Sequence, residues 1–381
     1  MTQRRQFYAI LIFCLSAAFL FYKYILQLSP AVMNDNLMRT FHLNGTGIGL
    51  LAGFYFYTYL VMQIPSGVLL DKYSVKKITT LAVGICALGA LLFASTSSFW
   101  VACFGRLLMG FGGAFASISY LKIVSRWFAP KYFAFLSGLF GTACMMGAGV
   151  SQPILAGFLR HYTWQQTIGF LATVGFVLFA LMWVFLKDKK PPVISHEVKP
   201  RLGWHSLVTV MKRPINWMLL VYSGLAFTPV TVFGGLWGVP YLMQSYHLSK
   251  VHAANLAAVV FYGFAVGAPL MGILSEKIGQ RRSVIILGTS LALVSMSILL
   301  YVPHLSAWML YVVMILIGVG SSSFVLSYTI GKEINPIALT ATVVGFMNVG
   351  DGLFGALADP LFGKILDLGW QGKIQHGVHI F

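Results

Sequence analysis

Charge is what this chain has least of. Only 9% of its 381 residues are Asp, Glu, Lys or Arg, against about 25% in ordinary soluble domains. That deficit excludes a water-soluble globular protein of this size. Acids are scarcer than bases, with 9 Asp and Glu against 26 Lys and Arg. Cysteine is also sparse: Cys14, Cys86, Cys103 and Cys144 all fall within apolar stretches, and none has metal-ligand spacing. Neither a disulfide framework nor a metal site is expected from them. None of the nine histidines sits in the middle of an apolar run, which removes a histidine relay across a membrane. No nucleophile–base set or phosphate loop is present, so the reading is of a non-enzyme without a bound cofactor.

What is present is apolar sequence: 58% hydrophobic residues, a mean hydropathy of +0.81 and 39 glycines. Windows of about 20 apolar residues mark membrane-crossing helices. They predict eleven, near 7–28, 46–70, 78–96, 99–124, 132–159, 165–187, 215–243, 252–275, 283–303, 305–331 and 337–366. The first begins after Arg4-Arg5 and has no small-residue cleavage site behind it, so it is expected to be retained. Ser29-Pro30 reads as its end, because the residue before a proline is pushed out of the helical region. One sizeable polar segment, with Pro191-Pro192, lies between the sixth and seventh helices. The expected organisation is an N-terminal six-helix bundle over 1–187, a cytoplasmic linker over 188–214 and a five-helix C-terminal bundle over 215–381. Trp204 to Arg213 reads as a short interfacial helix.

The net charge of +17 could suggest nucleic acid, but its placement argues otherwise. Cations gather in alternate loops: Arg4 and Arg5; Lys72, Lys76 and Lys77; Lys122, Arg126 and Lys131; the cluster from Lys187 to Arg213; Lys277, Arg281 and Arg282; Lys332. The intervening loops hold only Arg39, Arg160, Lys250, Lys364 and Lys373. This is the positive-inside bias, which puts the N-terminus in the cytoplasm. The expected surroundings are a lipid bilayer and a small solute, with no nucleic acid, for a monomer in the inner (plasma) membrane.

An internal repeat joins the halves. Gly67-Val68-Leu69-Leu70-Asp71-Lys72, ending in Lys76-Lys77, returns 205 positions later as Gly272-Ile273-Leu274-Ser275-Glu276-Lys277, ending in Arg281-Arg282. At an offset of 206, Pro130 matches Pro336, Gly157 matches Gly363 and Trp164 matches Trp370. Prolines in a helix's first turn are pre-organised for it, so the two mark equivalent helix starts. In that register a twelfth helix would begin near Gln371, and the sequence is read as lacking it.

These features resemble the major facilitator superfamily. Its loop motif, Gly-x-Leu-x-Asp-(Arg/Lys)-x-Gly-(Arg/Lys)-(Arg/Lys), is met by Gly67, Leu69, Asp71, Lys72, Lys76 and Lys77, with Ser74 where glycine is usual and Gly279 kept in the second copy. Arg106, Gly110, Gly112 and Gly113 match its fourth-helix pattern. Phe21-Tyr22-Lys23-Tyr24, Ser29-Pro30-Ala31-Val32-Met33 and Gln63-Ile64-Pro65 are similar to bacterial members of the branch containing the lysosomal dipeptide transporter, although Lys23 stands where many of those have glutamate. The glycine–proline pair of drug antiporters is not met, since Gln152 precedes Pro153. The resemblance implies two pseudo-symmetric bundles, alternating access, and a cavity lined by helices 1, 4, 7 and 10.

The charged turn has a physical role of its own. A carboxylate is stabilised at a helix N-terminus by roughly 0.3–1 kcal/mol. Asp71 is therefore expected to latch onto the start of helix 11, and Glu276 onto helix 5, when the cytoplasmic side is closed. The simpler reading is a solvated turn whose cations only set topology. Ionisable residues within the membrane are functional candidates by default. Lys23 lies about 24 Å along helix 1, Arg106 about 10 Å in from the outer face, and Asp351 roughly 18 Å along helix 11. Lys23 either faces a cavity or snorkels beside Tyr22 and Tyr24. Arg106 either holds an anionic substrate or pairs with a carbonyl or carboxylate. Asp351 either couples a proton or neutralises one of those cations.

The functional expectation is secondary-active or facilitative transport of a small polar organic solute: a dipeptide, an amino acid or an organic acid. A proton is the candidate coupling ion. Proton-linked export of drugs or metabolites, and a transport-dead remnant lacking its last helix, are the alternatives.

Overall fold

A computed structural model describes residues 3–128, 130–188, 204–302, 304–336, 339–369, 374–375 and 378–379. Six long helices form the first half: α1 (Gln3–Phe41), α2 (Gly45–Lys72), α3 (Val75–Ala94), α4 (Phe99–Trp127), α5 (Pro130–Phe158) and α6 (Trp164–Phe185). The second half opens with short α7 (Trp204–Met211), where the interfacial helix was expected. One crossing is then built from α8 (Pro214–Thr228), a π-helical turn over Pro229–Trp237 and α9 (Gly238–Ser245). After α10 (Lys250–Ile278) and α11 (Arg281–Tyr301), another comprises α12 (Ala307–Ser321), a 3-10 turn at Ser322–Phe324 and α13 (Val325–Ile334). The last helix is α14 (Thr340–Gly369). Residues 374–375 and 378–379 form a minimal antiparallel β-pair.

Among the described residues nine helical stretches are long and apolar enough to cross a membrane. With α5 and α14, at 29 and 30 residues, the arrangement approximates the eleven crossings expected. Most of the expected linker, and Trp370 with Gln371, lie outside the described residues.

One boundary departs from the expectation. Helix 1 does not end at Ser29-Pro30 but runs through it to Phe41. Proline removes the N–H that would bond the carbonyl four residues back, here that of Leu26. That carbonyl is taken instead by Arg106 Nη1 at 2.7 Å and by Ser29 Oγ at 2.9 Å. A helix crosses a proline when another donor takes over the freed carbonyl.

The halves meet along two equivalent seams, α2 against α14 and α5 against α10. Small residues set the closest approach. A Cβ added at Gly49 would lie 2.4 Å from the Asp359 carbonyl oxygen, and one at Gly363 would lie 2.1 Å from that of Gly45. Backbone meets backbone there, the usual use of glycine between membrane helices.

The repeat is visible in α3 and α11, and so is an asymmetry between them. Ala82 and Cys86 of α3 lie under Gly112, as Gly288 and Ala292 of α11 lie under Gly320. That contact aligns α3 with α11 at an offset of 206, while the two glycines differ by 208. A second stripe on α3, with Thr80, Val83 and Ala87, is fully buried, and at Ala87 it meets Gly175 of α6. The equivalent α11 residues are Ile286, Thr289 and Leu293, and all are exposed, Leu293 by 67%. No described helix covers α11 as α6 covers α3. An apolar groove of about 930 Å³ lies beside Pro229, Trp237, Leu300 and Phe362.

Candidate functional site

A cavity of about 400 Å³ lies between the halves, within the range of small-molecule sites. The first half contributes Lys23, Tyr24 and Gln27 from α1, Tyr59 from α2 and Cys144 from α5. The second contributes Phe227, Thr231, Phe324, Tyr328 and Asp351, among others. Both interruptions in the second half open here: the π-helical turn supplies Val230 and Thr231, and the 3-10 turn ends at Phe324. Broken helices beside a cavity are tolerated in a membrane because the cavity can hold what the backbone leaves free.

Lys23 is 2% exposed and lines this cavity rather than reaching for headgroups. Its Nζ sits 3.8 Å from the centroid of the Tyr24 ring and 4.7 Å from that of Tyr59. Two ring faces give a cation part of what it loses with its water. Among the described residues it has no carboxylate partner.

Asp351 faces the same cavity from α14. Its Oδ1 accepts a hydrogen bond from Ser223 Oγ and its Oδ2 one from the Tyr328 hydroxyl. An ionised carboxylate has about four acceptor positions, so two such bonds leave it half satisfied. It pairs with neither Lys23 nor Arg106 among the described residues. The sequence marked Asp351 but gave no sign of Ser223. A lone serine in an apolar helix does not show which way it points.

Arg106 was a candidate for substrate contact, and the structure puts it elsewhere. It is fully buried behind α1, outside the cavity lining. Its Nη2 donates to the Gln27 carbonyl at 3.2 Å, its Nη1 serves Leu26, and the guanidinium lies 5.1 Å from the Tyr55 ring centroid. This is the carbonyl-pairing alternative, and it holds the proline-containing stretch of α1 together. Replacing Arg106 by methionine removes its bonds to two buried carbonyls, about 1.5–3 kcal/mol each for a charged donor, and leaves that of Leu26 with Ser29 Oγ alone. The expected result is an unfolding midpoint lowered by several degrees, read by thermal denaturation in detergent. An unchanged midpoint with weakened solute binding would return Arg106 to the substrate.

The motif turns make their described contacts within their own halves. Ser74 Oγ and the Lys76 N–H both donate to Asp188 beyond α6, the latter at 3.0 Å. The Lys77 N–H donates to Ser74 Oγ at 3.1 Å, capping α3. In the second copy, Arg281 donates to Glu333 Oε1 at 3.1 Å through Nη2 and to Ser275 Oγ at 3.0 Å through Nη1. Gly67 is half-buried, while Lys72, Glu276 and Arg282 are exposed. Glu276 has no hydrogen bond or ion pair among the described residues. The side chain of Asp71, and with it the expected latch on helix 11, lies outside the described residues.

Carboxylate latching is instead visible at the opposite, cation-poor end. Asp367 near the end of α14 accepts from the N–H groups of Gly45 and Thr46, both at 2.7 Å, and from Thr46 Oγ1 at 2.6 Å. It caps the start of α2 across the seam. Nearby, Lys250 Nζ of α10 lies 3.2 Å from Asn36 Oδ1 and 3.9 Å from Asp35 of α1. Both bridges join one half to the other.

Comparisons with known proteins agree with this architecture. The model of the Major Facilitator Superfamily matches residues 7–239 and 219–372. The uncharacterized transporter YybO of Bacillus subtilis is 21% identical over 371 residues, covering 91% of this chain and 84% of its own. The lysosomal dipeptide transporter MFSD1 of Homo sapiens is 23% identical over 359 residues, covering 89% and 76%. A protein named Probable galactarate/D-glucarate transporter GarP, of Escherichia coli, is 25% identical over 298 residues, covering 69% and 66%. Among solved structures, a bacterial homolog of the human lysosomal transporter Spinster, inward-facing and unoccupied, superimposes with a TM-score of 0.80 at 18% identity, over 98% of this chain and 84% of that one. The chain is a multi-pass membrane transporter and not an enzyme, and it belongs to the Major Facilitator Superfamily.

Proposed function

We propose that this transporter moves a small polar organic solute across the bacterial inner membrane by alternating access, in secondary-active or facilitative mode. One observation carries the reading: both halves wall a single 400 Å³ cavity and each offers it one buried charge, Lys23 from the first and Asp351 from the second. Buried charges are costly in a bilayer, on the order of 2.5–3.5 kcal/mol at mid-depth on insertion scales. A solute that meets them recovers part of that cost. The relatives' names fit this range, with dipeptides for one and galactarate or D-glucarate for another.

The cation-rich end is proposed as cytoplasmic, following the positive-inside bias. In that orientation the bridges at Asp367 and Lys250 close the outer side. The motif turns at Asp71 and Glu276 would serve the opposite state, latching the cytoplasmic side. A proton is the proposed coupling ion, carried by Asp351.

Uptake by the purified protein in proteoliposomes tests the function. Dipeptides, amino acids, sugars and organic acids would be supplied with and without a pH gradient. Saturable uptake of one class, increased by the gradient, is expected. Entry no faster than in empty vesicles for every class would overturn the proposal.

A further inference from the structure

The two charges lining the cavity are unlike, and among the described residues neither has a counterion. Lys23 has the Tyr24 and Tyr59 rings beside its ammonium, while Asp351 has two hydroxyl donors and no cation. A solute of a single charge sign would satisfy one group and oppose the other. A dicarboxylate placed against Lys23 would turn its second carboxylate towards Asp351, and a diamine would reverse the conflict. A neutral sugar would leave both charges buried and unpaired, which costs far more than leaving a hydroxyl unpaired. Between the charges the second-half wall is aromatic. Phe227 stacks on Phe324 at 4.7 Å, and Phe264 lies 5.5 Å from Phe324, all three lining the same space.

We propose that the cavity selects a zwitterion, an α-amino acid or short peptide whose carboxylate meets Lys23, whose ammonium meets Asp351 and whose apolar side chain lies on the Phe227–Phe264–Phe324 wall. This rests on the transport reading above, but its test measures binding alone. The dimensions suit it: 400 Å³ is ample for two residues and too small for a folded segment. The charges sit on different halves, so a zwitterion spans the seam and its binding draws the halves together. A carrier gains from this, because a ligand shifts a two-state equilibrium only through unequal contacts with the two states.

The experiment uses the full-length protein in detergent and four probes: alanyl-phenylalanine, its C-terminal amide, its N-acetyl derivative and galactarate. Thermal-shift titration gives an affinity for each. The dipeptide is expected to bind at least tenfold more tightly than the other three. Lys23→Gln should erase the preference for dipeptide over amide while keeping that over the N-acetyl form, and Asp351→Asn should do the reverse. Each comparison is made within one variant, so a general loss of stability cannot imitate it. Tighter binding of galactarate, no binding of any probe, or preferences unaltered in both variants would overturn the proposal. Binding with these preferences but without uptake in proteoliposomes would instead refute transport and leave the zwitterion site standing.

Discussion

Asp351→Asn is expected to lower solute uptake by thirtyfold or more while leaving the protein as heat-stable as before. Truncating one partner of a desolvated charge pair costs about 2–5 kcal/mol, and each 1.4 kcal/mol is a factor of about ten. Asparagine keeps the shape of the side chain and can still bond to Ser223 and Tyr328. What disappears is the charge, and in the empty carrier that charge is a cost rather than a support. Function and stability should therefore separate. A structural role for Asp351 predicts the opposite pattern, with uptake lost only as far as folded protein is lost. The pH dependence has a definite sign as well. Protonating Asp351 removes the negative charge that the ammonium meets, so solute binding should strengthen as pH rises through the titration of this group. In Asp351→Asn that dependence should be absent. Initial uptake rates and unfolding midpoints, measured on both proteins across pH, settle the matter; equal uptake by both would remove Asp351 from the site.

Much of the fold was open to reading because a bilayer leaves few choices. Backbone groups in hydrocarbon must be paired within helices, so each long apolar run has one structural outcome. The repeat then paired the halves before any contact was known. What could not be read depends on contacts between distant positions. Pro30 reads as a helix end from a local rule on the residue before a proline, which takes no account of another donor for the Leu26 carbonyl. Arg106, 80 residues away, supplies one. Lys23 shows a similar limit. Its depth followed from 1.5 Å of rise per residue, but depth does not give rotation about the helix axis. Only packing against Tyr24 and Tyr59 turns it to the cavity. The motif turns were recognised from spacing and charge, yet Asp188 and Glu333, which bind them here, carry no local mark that would have named them.

A carboxylate capping a helix across the seam was inferred from the sequence at one end of the molecule, and the structure displays the same device at the other. Asp367 accepts three hydrogen bonds from the first turn of α2. Bonds to a charged group contribute about 1.5–3 kcal/mol each, and the helix N-terminus adds roughly 0.3–1 kcal/mol. Asparagine at this position retains an acceptor for one or two of these groups but loses the charge. A net loss of about 1.4–3 kcal/mol shifts the closed-to-open equilibrium at this end tenfold to more than a hundredfold. Spin labels at Ser97→Cys and Leu368→Cys, with the four native cysteines replaced by serine, would report the separation of the halves there. In Asp367→Asn a longer-distance population should appear, and uptake should fall because the carrier is held open to one side. Asp71→Asn should act in the other direction: by weakening the proposed latch at the cation-rich end, it should deplete the open population at Ser97 and Leu368 while also slowing uptake. The two substitutions together should restore part of the balance, since each removes the bias left by the other. Identical distance distributions in native and Asp367→Asn proteins would show that this contact only decorates a seam closed by the packing of α2 on α14.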